Sequence, residues 1–258
     1  VMGWTAGRLP SFAGRTVVVT GANSGLGEVT ARELARVGAR TILAVRNTAK
    51  GEAAADTMFG NVEVRELDLA NLKSVRAFAD GLDGEIDILI NNAGIIDVGP
   101  FADTDPEKFQ QLVALNIAAT TALTSYLLPH MLERRFGRIL NVASLAGFQP
   151  IPSMAVYAAS KAYVLSLTES LSEELRGTGV RVTALCPGLT DTNMVAEVKA
   201  QSETAQWTPS FLISNPKDVA QQAYKATMAG QTILVPGLPN QLAAAWAQLN
   251  PRWVVRTI

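Results

Sequence analysis

Along the 258-residue chain, short apolar blocks alternate with longer amphipathic stretches. Arg15-Thr-Val-Val-Val-Thr20 is a compact β-branched run of the kind that forms a strand buried on both faces. Residues 28–37 then carry Ala, Leu and Arg at helical spacing and stop at Gly38, a residue suited to closing a helix. The same alternation predicts strands over residues 41–45, 62–67, 87–90, 138–142, 180–185 and 232–235. Between them the pattern predicts helices over residues 48–59, 73–82, 157–175 and 218–228. A longer helix is expected from Pro106 towards Tyr126, capped by Asp105 or Thr104 and stopping near Pro129. Repeated strand–helix units with apolar strands imply an α/β domain. Its sheet would be mostly parallel and seven-stranded, with helices on both faces and right-handed crossovers. No linker or repeat interrupts residues 1–258, so one domain is expected, with an arm over residues 1–14.

The first strand runs into Gly21-Ala-Asn-Ser-Gly25-Leu-Gly27 and then a helix, which is the context a dinucleotide-binding turn requires. Gly21 permits the tight turn, Gly25 lets backbone N–H groups approach phosphate, and Gly27 lets the helix pack close to the strand. The helix N-terminus then presents unpaired N–H groups and its positive dipole end to a pyrophosphate. The expected fold is therefore a single doubly wound domain of the Rossmann type. The second strand ends in Val45 where an NAD site would place a carboxylate, and Arg46 follows. Arg46 is either a partner for a 2′-phosphate or a solvated strand end.

Composition narrows the partners. Hydrophobic residues make up 48% of the chain and charged residues 17%, enough apolar material for a large core. Lys+Arg 22 against Asp+Glu 23 leave a formal charge of −1, with no basic stripe to point to nucleic acid or an anionic membrane. No apolar run is expected to span a bilayer. Cys186 is the only cysteine, so no internal disulfide can form, and His130 is the only histidine, so no zinc site of the usual kind is expected. Residues 1–10 lack the layout of a signal peptide, and a cytoplasmic location is expected.

Tyr157 and Lys161, four apart at the head of a predicted helix, lie one turn apart on one face. A phenol ordinarily titrates near ~10, and a neighbouring ammonium favours the phenolate, which turns a tyrosine into a usable acid or base. Alone, that spacing is equally what an exposed helix face produces. In a doubly wound sheet, however, ligands sit beyond the carboxyl ends of the strands where the strand order reverses. Asn91-Asn92-Ala93-Gly94, Ser144 and Pro187-Gly188 all follow strands there. Asn116 sits inside the long helix, where Asn has poor propensity and needs another reason to be present.

With these motifs together, the sequence resembles the short-chain dehydrogenase/reductases of the Thr-Gly-x-x-x-Gly-x-Gly and Tyr-x-x-x-Lys type, over nearly its whole length. The resemblance implies that Tyr157 donates or removes the proton. Lys161 would lower its pKa and bond the nicotinamide ribose, Ser144 would orient the substrate oxygen, and Asn116 would hold a water linking Lys161 to solvent. It implies that Asp68 contacts adenine, that Asn92 lies along the cofactor, and that Thr190 and Thr192 bond its carboxamide and phosphates. It extends the cofactor set to Gly21, Asn23, Ser24, Gly25, Leu26, Gly27, Arg46, Asn47, Leu69, Ala93, Gly94, Pro187 and Gly188. The implied activity is reversible NADP(H)-dependent reduction of a ketone or aldehyde, with NAD(H) the weaker cofactor alternative. The other readings are an NAD-dependent alcohol or hydroxysteroid-type dehydrogenase and a cofactor-sensing protein without turnover. A small apolar carbonyl or alcohol is the expected substrate, and a homodimer or homotetramer the expected assembly. Residues 189–217 are expected to form a lid bearing Met194, Val195, Val198, Trp207, Phe211 and Leu212. Phe148, Ile151 and Met154 would stand opposite.

Overall fold

The computed structural model describes residues 11–196, 213–251 and 254. Seven parallel strands form one sheet in the order β3-β2-β1-β4-β5-β6-β7. They are β1 (Thr16–Thr20), β2 (Arg40–Val45), β3 (Asn61–Glu66), β4 (Ile88–Asn91), β5 (Gly137–Val142), β6 (Val180–Leu185) and β7 (Ile233–Leu234). The order reverses between β1 and β4, which leaves a crevice beyond their carboxyl ends.

Period-two alternation within each strand feeds two cores. Val17, Val19, Leu43, Val45, Ile88 and Ile90 point to one face, where α1 (Gly25–Arg36) and α7 (Pro216–Ala229) cover them through Ala31, Leu34, Val219 and Ala223. Val18, Ile42, Ala44, Leu89 and Ile139 point to the other, against Val75 and Phe78 of α3 (Leu72–Asp80) and the long central helix. A strand covered on both faces reads as an unbroken apolar run, which is why β1 and β4 are legible. Edge strand β3 is half-buried, and its outward Glu63 and Arg65 join Arg40 and Asp83 in a charged network. Charges there also discourage pairing with another chain.

The central helix departs from its predicted form in three respects. It comprises α4 (Pro106–Val113), one π turn (Ala114–Ala119) and α5 (Thr120–Glu133), with Asp105 capping through Glu107 N–H. It does not stop near Pro129. That residue and Ser125, whose carbonyl lacks the usual donor four residues on, are both exposed, while buried Leu127 and Met131 hold the helix to the core. The whole span of 28 residues is also long and apolar enough to cross a membrane, which no run was expected to be. Within the protein, Leu112, Ala119, Leu123, Leu127 and Met131 are buried on its inner side together with Asn116, Thr120 and Thr124.

The remaining α-helices among the described residues are α2 (Thr48–Ala55), α6 (Ala155–Glu174) and α8 (Leu238–Leu249). Val198, Trp207, Phe211, Leu212, Trp253 and most of the arm over residues 1–14 lie outside the described residues.

Candidate active site

The glycine turn is shaped by contacts that exclude a side chain. Gly21 and Gly25 have φ of +63° and +57°, a region L residues rarely adopt. A Cβ on Gly27 would lie 2.3 Å from Asn92 Nδ2 and 2.7 Å from the Gly21 carbonyl oxygen, so only hydrogen fits. Ser24 is the N-cap of α1 but its side chain makes no capping bond, so the first-turn N–H groups remain available to an anion. Thr20 Oγ1 accepts from both Asn92 N–H and Ala93 N–H at 3.0 Å, and Asn92 Nδ2 donates to the Thr20 carbonyl at 2.9 Å. The ends of β1 and β4 are thereby tied together beneath the turn. These residues fit a dinucleotide.

The tetrad gathers on the same side. Tyr157 and Lys161, on the first turns of α6, are 6% and 4% exposed. Lys161 Nζ donates to the Val142 carbonyl at 2.8 Å and lies 5.8 Å from the centre of the Tyr157 ring. Ser144 caps the 3-10 turn Leu145–Phe148 through Ala146 N–H, and its side chain makes a polar contact with the Tyr157 phenol. Asn116 sits in the π turn. Its Oδ1 accepts from Ile95 N–H at 3.0 Å, and its Nδ2 donates to the Ile95 carbonyl at 3.0 Å and to Ser160 Oγ at 3.1 Å. An extra residue in that turn rotates Asn116 inward and gives the reason its place in a helix demanded. A Cβ on Gly94 would lie 3.3 Å from Lys161 Nζ and 3.5 Å from Asn116 Oδ1, so the glycine leaves room where the two converge.

Burial governs the electrostatics. It pushes the Tyr157 phenol above its ordinary value, and the Ser144 contact only partly offsets this. Lys161, expected to lower the phenol, spends its described hydrogen bond on the Val142 carbonyl instead. Burial depresses the Lys161 ammonium to about 8, against a smaller opposing influence of the Cys186 thiol. Cys186, 0% exposed, is pushed up to about 12, again by burial first.

The remaining cofactor candidates separate into two groups. Thr192 lies against Gly25, where a Cβ would meet its Cγ2 at 3.3 Å, and its Oγ1 donates to the Thr190 carbonyl at 3.2 Å. Thr190 Oγ1 donates to the Gly188 carbonyl, the Pro187 carbonyl accepts from Leu145 N–H, and Leu26, in the first turn of α1, packs on the core. Asn23, Arg46 and Asn47 line a polar cleft beyond β2. Asn47 also caps α2 by accepting from Lys50 N–H at 2.9 Å. Asp68 Oδ1 accepts from Ala70 N–H at 3.0 Å, and Leu69 is buried in the core below.

Three features were missed from sequence. Lys50 and Glu66 share the cleft of Arg46, and Lys50 was findable as the residue three beyond a capping Asn. Asn91, Asn141, Thr124 and Thr168 form a buried hydrogen-bonded ladder linking β4, β5, α5 and α6. A narrow cleft opens against Tyr157, lined by Asp97, Phe101, Phe109, Ser153 and Met154. Ile151 and Met154 pack around Tyr157 with Ile95 and Ile96, whereas Phe148 packs with Val164 and Cys186. Of the lid expected over residues 189–217, Val195 is buried and Met194 half-buried.

The comparisons with known proteins agree with this geometry. The family model for short chain dehydrogenase matches residues 15–203. Ketoacyl reductase HetN of Nostoc sp. is 37% identical over 262 residues, covering 96% of this chain and 89% of its own. A short-chain dehydrogenase from Sphingobium yanoikuyae in complex with NADPH superposes with TM-score 0.80 at 31% identity, over 91% of this chain and 92% of its own. A short chain dehydrogenase/reductase from Burkholderia phymatum in complex with NAD has TM-score 0.80 at 26% identity, over 91% of this chain and 93% of its own. The glycine turn, the buried Tyr-x-x-x-Lys pair and these likenesses lead to one conclusion: the chain belongs to the short-chain dehydrogenase/reductase family of oxidoreductases.

Proposed function

We propose that the protein is an NADP(H)-dependent reductase converting a ketone or aldehyde to an alcohol, reversibly. The observation that carries this is the convergence of Tyr157, Ser144, Lys161 and Asn116 beside the glycine turn. When bound, the nicotinamide supplies the hydride. Charge then grows on the substrate oxygen, which needs a proton donor and a neutral hydrogen bond. Burial leaves the phenol protonated at neutral pH, and efficient donation would need the nearby Lys161 ammonium to bring its pKa down. Ser144 orients the oxygen beside it. Lys161, anchored on the Val142 carbonyl, would hold the nicotinamide ribose, and Asn116 braces the loop after β4 by holding both backbone groups of Ile95. The apolar wall of Ile95, Ile151 and Met154 supports an apolar substrate.

NADP(H) preference is supported by Arg46 and Lys50 in one cleft, with Val45 in place of a carboxylate. A preference for NAD(H) is the second reading, favoured by Glu66 in the same cleft, which would repel a 2′-phosphate. The deciding measurement is loss of NADPH absorbance over a panel of ketones, aldehydes and quinones, with Tyr157→Phe alongside. Acid–base catalysis is normally worth ~10²–10⁴-fold. A variant that binds NADPH and keeps more than about a tenth of wild-type kcat would remove Tyr157 from the role.

A further inference from the structure

Helix α8 is turned inside out. Ala244 and Ala247 are the residues it buries, while Leu238, Leu242, Trp246 and Leu249 are 67%, 63%, 38% and 85% exposed. Steps of four, four and three residues place these large side chains on one stripe, opposite the alanines. None of the 12 residues of α8 carries a charge. A surface helix of a soluble domain normally shows water its polar side, and a contiguous apolar face marks a surface that meets something else.

The surrounding sequence says what that is. Residues 219–258 contain three Lys or Arg and no Asp or Glu, a charge of +3, whereas residues 1–218 contain 19 against 23, a charge of −4. The expectation of no membrane partner rested on the balance over the whole chain, and the last 40 residues depart from it. Arg252, Trp253 and Arg256 follow α8 directly. Leucines and tryptophan on one helical face, two arginines next in the sequence and no carboxylate in the last 40 residues fit a helix that lies in an anionic lipid interface. A second copy of the chain fits less well. A stable interface takes about 20–30 residues a side, more than one stripe offers, and a two-fold contact would set this basic segment against itself.

We propose that α8 docks the protein on an anionic bilayer, with Leu238, Leu242, Trp246 and Leu249 in the headgroup layer. The first turn of α8 also packs on the site. A Cβ on Gly188 would lie 2.5 Å from Asn240 Oδ1, so the docked face begins beside the strand end that borders the tetrad. The docking does not depend on which reaction the site performs.

The test is co-sedimentation with vesicles of phosphatidylcholine plus phosphatidylglycerol, against phosphatidylcholine alone, for wild type and Leu242→Glu/Leu249→Glu. Light scattering reports the oligomeric state of both proteins. Wild type is expected to bind the anionic vesicles at least about tenfold more tightly than the neutral ones, the contribution of two basic residues near the surface. That binding should fall with salt and vanish in the double variant, which should keep its activity on a soluble substrate. Should the variant not fold, quenching of tryptophan fluorescence by brominated lipid, diminished in Trp246→Phe, decides the same question. Wild type that ignores both vesicles, or a variant that binds as wild type does, would overturn the proposal. So would a double variant that breaks a wild-type oligomer into monomers, since the stripe would then be a subunit seam.

Discussion

Arg46, Lys50 and Glu66 share one cleft, so cofactor choice at residue scale is a balance of charges in an exposed place. A hydrogen bond to a charged partner is worth ~1.5–3 kcal/mol, and exposure puts Arg46 at the lower end, roughly tenfold. Arg46→Ala should therefore lower kcat/KM for NADPH about tenfold and leave that for NADH nearly unchanged. Adding Lys50→Ala should lower it further, and Val45→Asp/Arg46→Ala should invert the preference. Steady-state kinetics with both cofactors decide this; a double variant that still favours NADPH would make Arg46 a solvated strand end. At this scale, Tyr157 and Lys161 were legible because a helix fixes their relation. Lys50 was overlooked although it stands three beyond the capping Asn47, because only the turn between β2 and α2 brings it to Arg46.

At the scale of elements, two local irregularities hold the site. Replacing Asn116 by Ala would leave the Ile95 N–H and carbonyl without their described partner beside buried Ser160. Unsatisfied buried groups cost ~1–3 kcal/mol each, so the two lost here cost at most ~2–6 kcal/mol, which for a chain of this size lowers Tm by roughly 4–20 °C. Calorimetry of Asn116→Ala checks this, and an unchanged Tm would show that water replaces the amide without cost. Gly27→Ala places a methyl where Asn92 Nδ2 and the Gly21 carbonyl already stand. It should destabilise by ~1–3 kcal/mol and weaken NADPH binding severalfold, as titration of cofactor fluorescence would register. The sequence flagged Asn116 as an anomaly but could not name Ile95, because the pairing depends on a π turn that has no sequence signature. Pro129 misled for the opposite reason. It need not end a helix where the site is open to water, and exposure is a tertiary property.

For the whole molecule, burial of titratable groups sets the response to pH. Lys161 is depressed to about 8 from 10.5, so between those values the unfolded chain binds a proton the native one does not, and stability rises with pH. Cys186 is raised to about 12 from 9, so above pH 9 the native chain holds a proton the unfolded one releases, and stability falls. The two slopes, each about 1.4 kcal/mol per pH unit, add to a gain confined to about pH 8–9 and then cancel. Denaturant titrations of Cys186→Ala should show the gain continuing to about pH 10.5, where wild type has levelled. A wild type whose stability falls steadily from pH 8 would contradict the buried ammonium. The sheet, the strand-end placement of the tetrad and the reversal beside β1 were legible in the sequence, because apolar runs and glycine punctuation encode them directly. The exposed stripe of α8 was less so: the same leucines would serve a core, and only the packing of Ala244 and Ala247 shows which side faces in.

The two stalks of the segment after β6 are fastened to each other. Ser214 N–H donates to the Leu189 carbonyl at 2.8 Å and Asp191 N–H donates to the Ser214 carbonyl at 3.0 Å. The two ends of the interval are therefore held beside each other at one fixed point. Closing a flexible loop costs only about 0.6 kcal/mol more for each doubling of its length. Segments spliced beyond Val195 and before Ser214 should leave the sheet, Thr192 and the tetrad undisturbed, making that interval a replaceable cassette. Grafting segments of differing length there should shift substrate range while Tm moves by only a few degrees. A natural lineage could change its substrates by the same route, without touching the chemistry.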